Sequence, residues 1–249
     1  MKVSVVLVGA GLGLRMGGTI KKPFLLLHGK PIFLHTVERF SRIHSVREII
    51  FVTGSAEINT LREQWQDTLS ANKVKKIIPG GKRRQDSVYH GICNVDPDME
   101  IVLIHDAVRP LVKQEHIEAV INKAKETGAA ILAAPMKATV KEVGNNLLIQ
   151  RTIPRSSLWM AQTPQGFERK LILKVFDQFK NTDTEFTDDA QMVEQAGHPV
   201  YIVQGTDENI KITTPEDIHL AEALLLRRSE SATKTPMNDR GNGGAKTFP

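Results

Sequence analysis

The sequence predicts an α/β fold: a mostly parallel sheet flanked by helices, with a β-hairpin arm projecting from it. Three observations predict it. Apolar runs of strand length recur along the chain. Amphipathic stretches of helical period separate them, which is the pattern of stacked βα units. Between residues 137 and 157 the alternation gives way to two strand-like runs around Gly144-Asn145-Asn146, a hairpin turn signal.

In order, the strand runs are Val3–Val8, Glu48–Thr53, Lys75–Ile78, Ile101–Ile104, Ala130–Ala134 and Val200–Val203. Ile32–Arg42 carries Phe33, Val37 and Phe40 at helical spacing, and Ile58–Leu69 behaves likewise. A further helix is expected over Val88–Cys93, capped by Asp86 or Ser87. Gln114–Thr127 buries Ile117, Val120, Ile121 and Ala124 and ends at Gly128, a natural C-cap. Thr214-Pro215-Glu216-Asp217 starts a last helix, with Thr214 as N-cap and Pro215 in the first turn, running to about Leu226. The arm comprises Thr139–Val143 and Leu147–Thr152. A lone two-stranded ribbon is barely stable in water, so it is expected to pack on a second subunit.

Composition bounds the rest. A chain of 249 residues, 41% hydrophobic and 24% charged, suits one large α/β domain over residues 1–226. No apolar run approaches the roughly 20 residues of a membrane span, and strand Val3–Val8 leaves no room for a leader. Cys93 is the single cysteine, which excludes an internal disulfide or a cysteine metal cluster. A cytoplasmic protein is the expectation. Of the net charge of +5, residues 227–249 hold +3, which leaves +2 for residues 1–226. That last segment has almost no apolar residues and is expected to be a disordered tail. With 5% aromatics and no aromatic-basic interleaving, a nucleic-acid surface is not expected.

Five segments carry chemistry. Gly9-Ala10-Gly11-Leu12-Gly13-Leu14-Arg15-Met16 follows the first strand, where glycines let the backbone approach a phosphate. It is no dinucleotide fingerprint, which needs glycine at Leu14 or Met16, and no P-loop, since Gly-Lys-Ser/Thr is missing. Arg15 lies inside the loop, and Lys21 and Lys22 lie just beyond it. Pro79-Gly80-Gly81-Lys82-Arg83-Arg84 again joins glycines to cations. The buried run Ile101–Ile104 ends in His105, Asp106 and Arg109, at the strand end where open α/β sheets bind ligands. A carboxylate and a guanidinium delivered there suit a phosphate-bearing substrate with a bound cation, or a structural ion pair. Finally, Thr163-Pro164 and Gly166 mark a constrained loop, and Lys211 is expected on a short strand ahead of the last helix.

Taken together, the chain resembles the 2-C-methyl-D-erythritol 4-phosphate cytidylyltransferase family of sugar-phosphate nucleotidyltransferases. The resemblance rests on Gly-Ala-Gly-x-Gly-x-Arg-Met (9–16), Gly-Gly-x-x-Arg-x-x-Ser-Val (80–88), His-Asp-Ala-x-Arg-Pro (105–110), Arg-x-x-Leu-Trp-x-x-Gln-Thr-Pro-Gln (155–165), Thr-Asp-Asp (187–189) and Asn-Ile-Lys-Ile-Thr-x-Pro-Glu-Asp (209–217). It implies a modified Rossmann-like fold and a homodimer whose hairpin arms embrace. The implied reaction joins CTP to methylerythritol phosphate with release of pyrophosphate. It also implies roles. Arg15, Lys22 and Lys211 would be catalytic; Ala10, Gly11, Gly13, Gly80, Gly81, Ser87, Asp106 and Ala107 would bind CTP. Arg109, Thr139, Arg155, Ala161 and Thr163 would hold the polyol phosphate. Mg²⁺ is expected on the phosphates, with Asp106 the nearby carboxylate.

Two positions depart from the family pattern. Lys21-Lys22-Pro23-Phe24 stands where the family has Pro-Lys-Gln followed by Tyr or Phe; spacing from Arg15 picks Lys22, with Lys21 as the alternative. Ala138-Thr139 stands where the family commonly has Asp-Thr. The arm therefore leaves room for a sister enzyme acting on ribitol 5-phosphate or a similar polyol phosphate. The Lys-Lys-Pro run leaves room for a non-catalytic nucleotide-binding homologue.

Overall fold

Every second residue of the central strands enters a different core, and this alternation builds the molecule. The computed structural model describes residues 1–11 and 21–233. In chain order the strands are β1 (Val3–Val8), β2 (Leu26–Leu27), β3 (Lys30–Pro31), β4 (Val46–Thr53), β5 (Val74–Pro79) and β6 (Ile101–Asp106), then β7 (Ala129–Pro135), β8 (Val140–Val143), β9 (Ile149–Ile153), β10 (Trp159–Glu168) and β11 (Tyr201–Gln204). The helices are α1 (Ile32–Ser41), α2 (Glu57–Ala71), α3 (Arg84–Cys93), α4 (Gln114–Thr127), α5 (Arg169–Phe179), α6 (Asp189–Gln195) and α7 (Pro215–Thr233). Seven strands form one sheet in the order β11-β7-β10-β6-β1-β4-β5. All neighbours pair parallel except β10, which runs antiparallel to both β6 and β7.

Val3, Val5, Leu7, Ile49 and Phe51 pack with Phe33, Val37 and Phe40 of α1 and Ile117, Val120 and Ile121 of α4. Val6, Ile50, Val52 and Ile104 pack on the other face with Val88 and Ile92 of α3, Ile172 and Phe176 of α5, and Val193 of α6. A sheet covered on both faces suits continuous apolar strands. A third cluster joins Ala221 of α7 to Leu27, Ile32, Leu111 and Ile212. At the end of α4, Gly128 takes φ 88° while its N–H reaches Ala124 O at 2.8 Å, which is the expected C-cap.

Four expectations need correction. Residues 159–168 form a central strand, not only a constrained loop; polar Gln162, Thr163 and Gln165 hide its character in the sequence, yet all three are buried. The Thr163–Pro164 peptide is cis, and pairing with β7 is interrupted between Ala161 and Gln165. Helix α3 begins at Arg84 rather than Val88, because Asp86 accepts the Arg83 N–H at 3.0 Å and closes a capping box. Lys211 lies on irregular chain, not on a strand. The last helix continues to Thr233, past the expected end near Leu226, and Arg228, the second residue of the expected tail, donates to Leu111 O at 2.9 Å. The remainder of the expected tail, 234–249, falls outside the described residues.

The arm is present as β8 and β9, antiparallel, with Val140 opposite Ile153 and Val143 opposite Ile149. Leu147 occupies the turn at φ 62° and is 83% exposed, beside the exposed Leu148 and Ile149.

Candidate active site

The carboxyl ends of the parallel strands open on a cleft of about 520 Å³, where such sheets bind ligands. Ala10 and Gly11 reach it from β1, Gly81 and Ser87 from beyond β5, Asp106 from β6, and Lys211 from the segment before α7. Gly80 lies directly behind: a Cβ there would stand 2.4 Å from Ala10 Cβ and 2.7 Å from Ser87 Oγ. Only glycine allows the loops after β1 and β5 to meet this closely. The Ser87 hydroxyl in turn accepts the Gly81 N–H at 3.0 Å.

Which of two adjacent lysines faces the cleft is decided by the chain. The Lys21 ammonium pairs with Glu57 at 2.8 Å. Lys22, opening a single 3₁₀ turn with buried Pro23, lines the cleft. The prolyl ring that restricts Lys22 also starts this turn.

Asp106 is the electrostatic centre. Its buried carboxylate stands 2.9 Å from Lys211 Nζ, 3.2 Å from Arg109 Nε and 3.8 Å from Arg84 Nε. Burial alone would push the carboxyl up; Lys211, Arg84 and Arg109 outweigh it and hold the group well below the ordinary carboxylate range. The Asp106 N–H donates to Thr163 Oγ1 at 3.1 Å. The Lys211 side chain keeps 41% exposure, so its ammonium can turn a further donor toward a ligand.

Arg84 is the residue that sequence reasoning named among loop cations but did not assign. It donates to both oxygens of buried Asp189, at 3.0 and 2.8 Å, while facing Asp106. Gln165 anchors the same corner, accepting the Asp189 and Ala190 N–H groups at 3.1 and 3.0 Å and donating to Asp188 at 2.8 Å. The Thr-Asp-Asp motif thus supports the cleft from beneath. The signal that could have found it is a paired acid beside unassigned arginines.

His105 belongs to the core. Its ring lies 4.7 Å from Phe40, its Nε2 is 3.1 Å from Arg109 O, and burial lowers its pKa to about 3.

The remaining expected residues divide into three groups. Ala107, Arg109 and Thr163 stand behind the cleft wall. Ala107 exchanges hydrogen bonds with Val8 O and Thr36, and Arg109 donates to Asn209 O at 2.8 Å. Thr139, Arg155 and Ala161 are exposed at the arm and its base, outside the cleft lining, with Arg155 donating to Lys137 O. Gly13 and Arg15 fall in 12–20, outside the described residues.

Asp106 does not fit as the anchor of a metal ion, because three cations already engage its two oxygens. Among the described residues no three His, Cys, Asp or Glu side chains converge.

Known proteins share this arrangement. The family model described as 2-C-methyl-D-erythritol 4-phosphate cytidylyltransferase matches residues 3–227. The enzyme of that name from Alkaliphilus oremlandii is 43% identical over 92% of this chain and 97% of its own length. The chloroplastic one from Oryza sativa is 41% identical over 90% of this chain and 74% of its own. Among solved structures, 4-diphosphocytidyl-2C-methyl-D-erythritol synthase from Anaerococcus prevotii superposes with a TM-score of 0.80 at 31% identity, covering 91% of this chain and 96% of that one. The Thermus thermophilus cytidylyltransferase gives 0.74 at 29%, covering 90% and 98%. With a family match spanning nearly all of the sheet and every wall of the cleft, the chain belongs to the 2-C-methyl-D-erythritol 4-phosphate cytidylyltransferase family.

Proposed function

We propose that this protein transfers CMP from CTP to 2-C-methyl-D-erythritol 4-phosphate and releases pyrophosphate. The observation that carries the reading is the convergence of glycine-lined backbone at Ala10–Gly11 and Gly81 with Lys22 and Lys211 in one cleft. The attacking group is a phosphate monoester, already an anion, so no general base is needed. The task is to neutralise charge as that oxygen meets the α-phosphate and pyrophosphate leaves, which positioned cations perform. Lys22 and Lys211 would contact the reacting phosphates, with Arg15 joining them from the loop. Asp106, flanked by Arg84, would fix Lys211, and Gly80, Gly81 and Ser87 would frame cytosine and ribose. Mg²⁺ would enter with CTP as part of the substrate, held by phosphate oxygens.

The arm supports a homodimer as part of the same proposal. Val143, Leu147, Leu148 and Ile149 are all exposed on an otherwise thin ribbon, and a second copy would cover them. Thr139 and Arg155 would then hold the methylerythritol phosphate in the partner's cleft. No helix among the described residues is long and apolar enough to cross a membrane.

Pyrophosphate release with CTP and Mg²⁺ tests the reading, with methylerythritol 4-phosphate and ribitol 5-phosphate offered separately. Turnover with the first is expected. Turnover with ribitol 5-phosphate alone would transfer the specificity to the arm, where Ala138 stands. Silence with both would overturn the reading.

A further inference from the structure

Glu208, on the segment that also delivers Lys211, gathers cations of its own. Lys113 stands 3.9 Å away, Arg228 at 3.1 Å, and Arg227 pairs with it closely. Together with Arg39 and Glu115 these groups line a second, open cavity of about 550 Å³ beside α1, the start of α4 and the end of α7. Four cations there face two carboxylates. Among the described residues the half-buried Arg39 has no hydrogen-bond or ion-pair partner. Arg228 spends its two terminal nitrogens on Leu111 O and Glu208, but its Nε is buried without an acceptor. Burial, and after it the closeness of Arg228 and Arg42, lowers the Arg39 pKa. A partly desolvated guanidinium among other cations is unfavourable until an anion joins it.

We propose that this cavity is a binding site for a small diphosphate, separate from the catalytic cleft. Arg39 offers a planar fork that matches phosphate oxygens, Arg228, held by Leu111 O and Glu208, adds its charge from behind, and Lys113 adds a point charge at the rim. Glu208 keeps part of the positive charge neutralised while the site is empty. The formal excess of two cations that remains offsets most of the negative charge that a diphosphate carries at neutral pH.

The test is calorimetric titration of the full chain with inorganic pyrophosphate, in saturating CTP and Mg²⁺ and without sugar phosphate. CTP blocks the catalytic cleft, so binding there does not contribute. One pyrophosphate per chain is expected. Arg39→Gln should weaken it roughly tenfold or more, the loss of one charge-assisted contact. Arg39→Lys should recover part of that loss, and Lys22→Ala should leave the affinity unchanged. Arg39→Gln removes a charge crowded by Arg228 and Arg42, so the melting temperature should hold or rise; Lys113→Gln, on another element, gives the same reading if Arg39→Gln fails to fold. No binding to the CTP-saturated protein, or equal binding by Arg39→Gln and Lys113→Gln, would overturn the proposal. Either result leaves the pyrophosphate-release assay unaffected, so the two readings fail separately.

Discussion

The Lys21 ammonium lies 2.8 Å from the Glu57 carboxylate, and this pair turns one of two neighbouring lysines away from the cleft. Lys22→Ala should therefore reduce kcat by about 10²-fold or more, as the loss of a transition-state donor does. Lys21→Ala should keep most of the kcat and lose about 1 kcal/mol of stability, the usual scale for a partly exposed pair. Steady-state kinetics and thermal melts on both variants decide it. A dead Lys21→Ala beside an active Lys22→Ala would reverse the assignment.

Asp106 predicts a pH dependence of stability. Its carboxyl is held below the ordinary range in the folded chain, so its contribution is fully present above the unfolded value of about 4 and is lost as the pH falls below it. Asp106→Asn leaves Lys211, Arg109 and Arg84 facing one another, which should cost about 3 kcal/mol or more. Denaturant unfolding from about pH 3 to pH 7 should show a steep acid limb in the wild type that is flatter in the variant. Parallel curves would remove Asp106 from this role.

His105 supplies the converse case. Burial lowers its pKa from 6.5 to about 3, so the unfolded chain takes up its proton first and stability declines as pH drops from 6.5 toward 3. Its imidazole resonance should stay flat between about pH 5 and pH 8, where an exposed histidine titrates. A midpoint near 6.5 in the folded protein would show that water reaches the ring.

The arm can be tested without disturbing the core. Leu147 and Leu148 are 83% and 66% exposed, so Leu147→Asp with Leu148→Asp should leave the fold of one chain intact. Sedimentation should report a monomer, and KM for the polyol phosphate should rise while CTP affinity holds. A dimer that survives both changes would place the interface elsewhere.

The parallel half of the sheet was legible because its strands are continuous apolar runs, and helix α4 because Ile117, Val120, Ile121 and Ala124 keep a strict period. Glycine loops and cations also announced the cleft. Strand β10 was not legible, because its buried polar side chains are satisfied by groups far away in sequence. Gln162 donates to Thr206 O, and Gln165 engages Asp188 and the start of α6. Local pattern contains no record of such partners. The helical extension past Leu226 escaped for the same reason, since Arg227 and Arg228 look like tail charges until Glu208 is brought beside them.

Strand β10 also sets where this chain tolerates insertions. It leaves the base of the arm at Trp159–Ala161, passes Thr163 under Asp106, and ends by fastening α6 through Gln165. Adding or deleting one residue in that interval would exchange the two faces of everything downstream and misdirect Thr163 and Gln165 together. For the fold of one chain the hairpin turn at 144–146 can lengthen by comparison, whereas Leu147 and Leu148 are tied to the proposed partner contact. Changes in length that leave one chain folded should therefore be confined to that turn, while the stretch joining arm to cleft keeps its residue count.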